Sequence, residues 1–91
     1  MPLVKLFGNL RQHAGAKHLD LPGTTVREAL ETLCTDNDAL RDAIFQAGGL
    51  LRPHVRVVVN GRDSELEQGL DTILDQTDEI AIFPPIAGGT R

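Results

Sequence analysis

The segment Glu79-Ile80-Ala81-Ile82-Phe83-Pro84-Pro85-Ile86-Ala87-Gly88-Gly89-Thr90-Arg91 changes character at Pro84. Before it, apolar and other residues alternate as in a β-strand, which buries Ile80 and Ile82 and leaves Phe83 on the face of Glu79. After it, two prolines remove two backbone donors and favour an extended polyproline-like path, so sheet pairing cannot simply continue. Gly88 and Gly89 carry no Cβ, which lets backbone enter a channel too narrow for side chains. A terminal Gly-Gly also fits an ordinary frayed end. Its weight depends on the domain that carries it.

Working back, Val55-Arg56-Val57-Val58-Val59 is the most β-prone run, with Val55, Val57 and Val59 on one face. Asn60-Gly61 then signals a hairpin, with a short return strand over Arg62 to Leu66. Gly69 to Thr77 is rich in turn residues, and Leu70, Ile73 and Leu74 are expected under the sheet. Near the start, Leu3 to Phe7 alternates about Lys5, a loop is expected from Gly8 to Ala16, and Lys17 to Leu21 reads as a second strand. Thr25 precedes Glu28 by three residues, a capping-box arrangement that opens a helix with Val26, Ala29, Leu30, Leu33 and Cys34 on one stripe. Asp36-Asn37-Asp38 caps a second, short helix through Leu40, Ala43, Ile44 and Ala47, which Gly48-Gly49 is expected to end.

These elements describe an α+β domain, a mixed sheet wrapped around one main helix. Its boundaries are 1–83, with a flexible tail over 84–91. First and last strands that pair in parallel would bring Phe7 and Phe83 together on the open face, as an apolar patch at the root of the tail.

The chain has 91 residues, 41% of them hydrophobic and 24% charged, a composition suited to one small core. Its formal net charge of −4 and lack of Trp and Tyr argue against nucleic acid and anionic membrane, and favour a basic protein partner. No apolar run approaches a membrane span, and Met1 to Lys5 lacks the pattern of a signal peptide, so a cytoplasmic location is expected. Cys34 is the single cysteine and excludes an internal disulfide.

A catalytic constellation is hard to assemble. His13, His18 and His54 have no metal-ligand spacing, and Cys34 lies on the apolar stripe, where a core role outweighs a nucleophilic one. Asp71, Asp75, Asp78 and Glu79 do not match a calcium loop. There is no Walker-type glycine loop, so any ATP chemistry belongs to a partner. No resident metal or cofactor is expected, and the chain reads as a protein co-substrate rather than an enzyme.

Leu70-Asp71-Thr72, Thr77-Asp78-Glu79-Ile80, Val59-Asn60-Gly61 and the ending Phe83-Pro84-Pro85-Ile86-Ala87-Gly88-Gly89 together resemble the MoaD/ThiS family of ubiquitin-like sulfur carrier proteins. The resemblance implies a β-grasp fold and a ubiquitin-activating-enzyme-like adenylyltransferase that binds the open sheet face through Phe7, Phe83, Leu66, Pro84, Pro85 and Ile86. It also implies that Gly88 threads into that partner and that Gly89 is activated there with ATP and Mg, then converted by a persulfide donor to a thiocarboxylate for a sulfur-accepting synthase. Two departures stand out: Thr77 replaces the glycine usual before the last strand, and Thr90 and Arg91 follow Gly89. The bond between Gly89 and Thr90 therefore has to be cut, as a JAMM-type metalloprotease does for some relatives.

The ending leans toward molybdopterin synthesis, while Asp38 to Pro53 also resembles carriers serving cysteine synthesis. Thiamine, a thiolated tRNA and a sulfur-containing siderophore are further possible destinations. Two other classes stay open: a ubiquitin-like modifier joined to lysines, and a non-reactive β-grasp binding module.

Overall fold

The computed structural model describes residues 1–84. The element order is β1 (Leu3–Leu6), α1 (Leu10–Ala14), β2 (His18–Asp20), α2 (Val26–Leu33), α3 (Asp38–Ile44), β3 (Arg56–Val59), β4 (Arg62–Asp63), two short 3₁₀ turns (Ser64–Leu66 and Gly69–Asp71) and β5 (Glu79–Phe83). The five strands form one sheet in the order β2-β1-β5-β3-β4. Strands β1 and β5 are parallel at its centre, with Val4 opposite Ile80 and Leu6 opposite Ile82, and every other pairing is antiparallel. This is the mixed β-grasp sheet expected from the sequence.

Alternation fixes which face is covered. Val4, Leu6, Val57, Ile80 and Ile82 are buried against Val26, Ala29, Leu30 and Leu33 of α2. A one-residue slip in either central strand would move this whole set to the other face. Helix α2 starts where the capping box places it: the Thr25 hydroxyl accepts from the Glu28 amide at 3.2 Å, and Glu28 Oε1 accepts from the Thr24 amide and hydroxyl. The bonds from the Thr24 amide and hydroxyl hold the Glu28 carboxyl below its ordinary pKa. Asn37 caps α3 by accepting from the Leu40 amide at 3.0 Å.

Several expectations need correction. The segment from Gly8 to Ala16 is not all loop, since Leu10–Ala14 is helical and Leu10 is fully buried. Helix α3 stops at Ile44, because Phe45 turns extended, is buried, and bridges Leu51 in antiparallel fashion. Gly48 and Gly49, with φ of 92° and 81°, therefore make the turn of a small hairpin rather than a helix C-cap, and Ala47 is exposed.

The return strand covers only Arg62–Asp63, after which the Asp63 carboxylate caps the Glu65 amide and turns the chain into a 3₁₀ helix. Ile73 is not under the sheet. The segment over 72–74 bridges the start of α2, with the Val26 amide donating to Thr72 and the Leu74 amide to Thr24, so Thr72 and Leu74 point in and Ile73 is 73% exposed. The glycine-free turn at Thr77 closes through Asp75 and Asp78, whose main chains bond at 3.1 Å, and Thr77 needs no left-handed conformation. Among the described residues no helix is long and apolar enough to cross a membrane.

Candidate functional site

The uncovered face of the sheet is built by the residues that alternate with the core. Strand β1 contributes Lys5 and runs into Phe7, β5 contributes Glu79, Ala81 and Phe83, and β3 contributes Arg56 and Val58. Because β1 and β5 are parallel and in register, their C-terminal ends coincide, and the rings of Phe7 and Phe83 stack with centroids 4.5 Å apart and planes 12° from parallel. Phe83 remains 37% exposed. A shallow groove runs down the face from this pair, lined by Lys5, Phe7, Val58, Glu79, Ala81 and Phe83. Its charges are paired along the flanks, Lys5 Nζ with Glu79 at 2.9 Å and Arg56 with Asp63 at 2.8 Å. The bond from the Glu65 amide, then the Arg56 guanidinium, keeps the Asp63 carboxyl below its usual value.

Pro84 leaves the sheet directly behind the stack. It lies so close to Gly8 that a Cβ there would stand 2.8 Å from Pro84 Cγ, and Gly8 has a φ of +61° that suits glycine. The first residue of the tail is thus packed on the turn that follows β1.

Of the residues singled out in the sequence, the structure brings Phe7, Phe83 and Pro84 together. It does not bring Leu66 to them: that residue is 70% exposed, but it sits beyond β4, and β3 stands between β4 and β5. Pro85, Ile86, Gly88, Gly89 and Thr90, with the roles expected of them, lie outside the described residues.

Arg11 was not legible as part of this site. Its guanidinium carbon stands 5.2 Å from the centroid of Phe7, and its Nε donates to the Leu6 carbonyl at 2.7 Å. The available signal was the spacing of four between Phe7 and Arg11, which acquires meaning only once the intervening residues turn helical. Strand pairing places Arg56 opposite Phe83, with its guanidinium bonded to Asp63 of β4.

Among the described residues no activated thiol is offered. Cys34 is 1% exposed, and burial pushes its thiol up to about 11. Among the described residues no group of three His, Cys, Asp or Glu side chains converges to hold a metal ion. The arrangement can dock and present; its described part supplies no general base or acid beside the tail.

The profile of the ThiS family matches residues 4–89. Small archaeal modifier protein 3 of Haloferax volcanii is 33% identical over 89 residues, spanning 94% of this chain and 96% of the relative. A protein of Archaeoglobus fulgidus provisionally named a sulfur carrier is 30% identical over 86 residues, spanning 94% and 96%. The solution structure of small archaeal modifier protein 1 from Methanosarcina acetivorans superposes with a TM-score of 0.87 at 38% identity, over 96% of this chain and 94% of that one.

Proposed function

From its membership of the MoaD/ThiS family of ubiquitin-like sulfur carrier proteins, we propose that this chain carries sulfur as a thiocarboxylate on Gly89, after the residues following Gly89 are removed. The observation that carries the reading is the Phe7–Phe83 stack. It puts an apolar anchor on the open sheet face at the point where β5 passes into Pro84, so a partner that binds the face also receives the tail.

The chemistry follows from what a carboxylate lacks. It is a poor electrophile until one oxygen becomes a good leaving group. A partner adenylyltransferase supplies this with ATP and Mg: the Gly89 carboxylate attacks the α-phosphorus, pyrophosphate leaves, and an acyl-adenylate forms. The terminal sulfur of a persulfide donor then attacks the carbonyl carbon and AMP departs. A thiol cleaves the resulting S–S bond, forming a disulfide with the donor sulfur and leaving the thiocarboxylate. Cys34 is too deeply buried and too weakly ionised to take the persulfide role, so the sulfur comes from another protein. Gly88, with no side chain, lets the reacting end pass a narrow channel. A sulfur-accepting synthase then uses the product, with molybdopterin or cysteine synthesis as the favoured destinations and the cytoplasm as the setting.

The chain as given cannot undergo this reaction at Gly89, because that carbonyl is tied up in a peptide bond to Thr90. A protease of the JAMM metalloenzyme class is the proposed remedy. The test is reconstitution with the adenylyltransferase of the same organism: a chain ending at Gly89 should release pyrophosphate, and one ending at Arg91 should not. Equal release from both would overturn the processing step, and release from neither would overturn the carrier reading.

A second reading, conjugation of Gly89 to lysines of target proteins, is supported by the relatives named as modifier proteins. Lysine-linked adducts that vanish when Gly89 is replaced by alanine would favour it.

A further inference from the structure

The charge of the whole chain and the charge around the tail root have opposite signs. Net charge is −4, yet residues 1–19 contain Lys5, Arg11 and Lys17 and no aspartate or glutamate. These residues fold into β1, α1 and the start of β2, beside the point where the tail departs.

Ion pairing sharpens the contrast. Lys5, Arg27, Arg41, Arg56 and Arg62 each form a salt bridge with a carboxylate. Among the described residues three basic side chains form none: Arg11, Lys17 and Arg52. Arg52 is occupied at the end of α3, where its Nε donates to the Asp42 carbonyl. That leaves Arg11, which lies over Phe7, and Lys17, at the far end of the segment that follows Phe7. Arg11 lies over the ring, with Nε bonded to the Leu6 carbonyl and its two terminal nitrogens left for a planar acceptor. Lys17 is exposed, and its carbonyl accepts from the Leu6 amide at 2.8 Å, which fixes its backbone beside the end of β1.

We propose that the protein receiving the tail presents carboxylates to Arg11 and Lys17, at the rim of an apolar pocket that takes the Phe7–Phe83 pair. The inference rests on the carrier reading for the partner's identity, but the charge pattern does not depend on it. Net charge governs the far field and would suggest a basic partner. Within about one Debye length of contact, some 8–10 Å, the local pair of cations dominates. An acidic rim also gives orientation, because binding the sheet upside down would bring it against Asp75, Asp78 and Glu79 at the opposite end.

The first test needs no partner. Hexaglutamate titrated into the isotope-labelled chain at low salt should shift the amide signals of residues 7–18 most, and the double variant Arg11→Gln, Lys17→Gln should abolish that response while Arg27→Gln leaves it intact. Shifts centred on Arg27, Arg41 or Arg62, or no localised shift, would overturn the proposal. Lys17→Gln alone, whose side chain makes no described hydrogen bond, keeps the test sound if Arg11→Gln disturbs folding.

The second test uses the adenylyltransferase and a chain ending at Gly89. The double variant should raise KM about five- to tenfold at low salt, with kcat little changed and the difference shrinking as salt is added. Normal activation that ignores both substitutions would sink the acidic rim and leave the carrier reading standing. A localised hexaglutamate response without any activation would sink the carrier reading and leave the cationic site standing.

Discussion

Phe7 and Phe83 end two parallel neighbouring strands, and their rings meet at 4.5 Å on the face that no helix covers. Inside the core such a pair would serve folding alone. At the edge of an open face, with Phe83 partly exposed, the same pair has area left for a partner.

Phe83→Ala should therefore separate binding from folding. Loss of the stack costs about 0.5–1.5 kcal/mol beyond the apolar area the ring buries, which a shift in thermal midpoint would register. Activation by the adenylyltransferase should fall by a larger factor, about tenfold or more in kcat/KM. Unfolding at room temperature with unchanged activation of the surviving folded fraction would reverse that assignment.

Leu30 is fully buried on α2 beneath the sheet. Replacement by alanine should cost about 2–5 kcal/mol, because the methyl groups lost leave a cavity that the parallel strands can close only in part. Urea denaturation measures this directly. An unchanged midpoint would contradict the packing of α2 against β1 and β5.

Cys34 gives the domain an alkaline limit. Its folded pKa is raised from 9.0 to about 11, chiefly by burial, so the unfolded chain loses the thiol proton first. The sign is set by that order: the buried thiol contributes nothing adverse below about pH 9, and stability falls as pH rises from about 9 to about 11. Cys34→Ala should be less stable at neutral pH but lose less on going alkaline. Below pH 9 the native thiol should also resist iodoacetamide and react once urea unfolds the chain.

Asp63 sets a smaller limit on the acid side. Its carboxyl is held below the ordinary value by the Glu65 amide and the Arg56 guanidinium, so its contribution is present above the unfolded pKa of 3.8 and is lost as pH falls through the folded value. Asp63→Asn should flatten the stability profile below about pH 4, as acid titration followed by circular dichroism would show. A profile identical to that of the native chain would deny Asp63 this role.

The central sheet, the cap at Thr25, the Asn60-Gly61 hairpin and the meeting of Phe7 with Phe83 were all legible, because each rests on a local pattern or on one topological step. The two left-handed residues Asn60 and Gly61, at φ of 51° and 83°, are what that dipeptide is suited to supply. What escaped has a different origin. Leu10–Ala14 is too short for periodicity to register, and it is set by a single buried leucine between two glycines in left-handed conformations. The end of α3 was misplaced because Gly48-Gly49 serves turns and caps alike, and only the long-range burial of Phe45 decides between them. Leu66 joins the expected patch only through the resemblance, which does not register the strand order that separates it from Phe83. Arg11 was missed for the reason that α1 was missed.

The most direct measurement is the intact mass of the protein purified from its own organism. A mass matching the chain through Gly89, with one carboxyl oxygen exchanged for sulfur, is the expected result and would establish both trimming and thiocarboxylation. A population carrying only Thr90 and Arg91 after Gly89, with no sulfur gained, would contradict the carrier function.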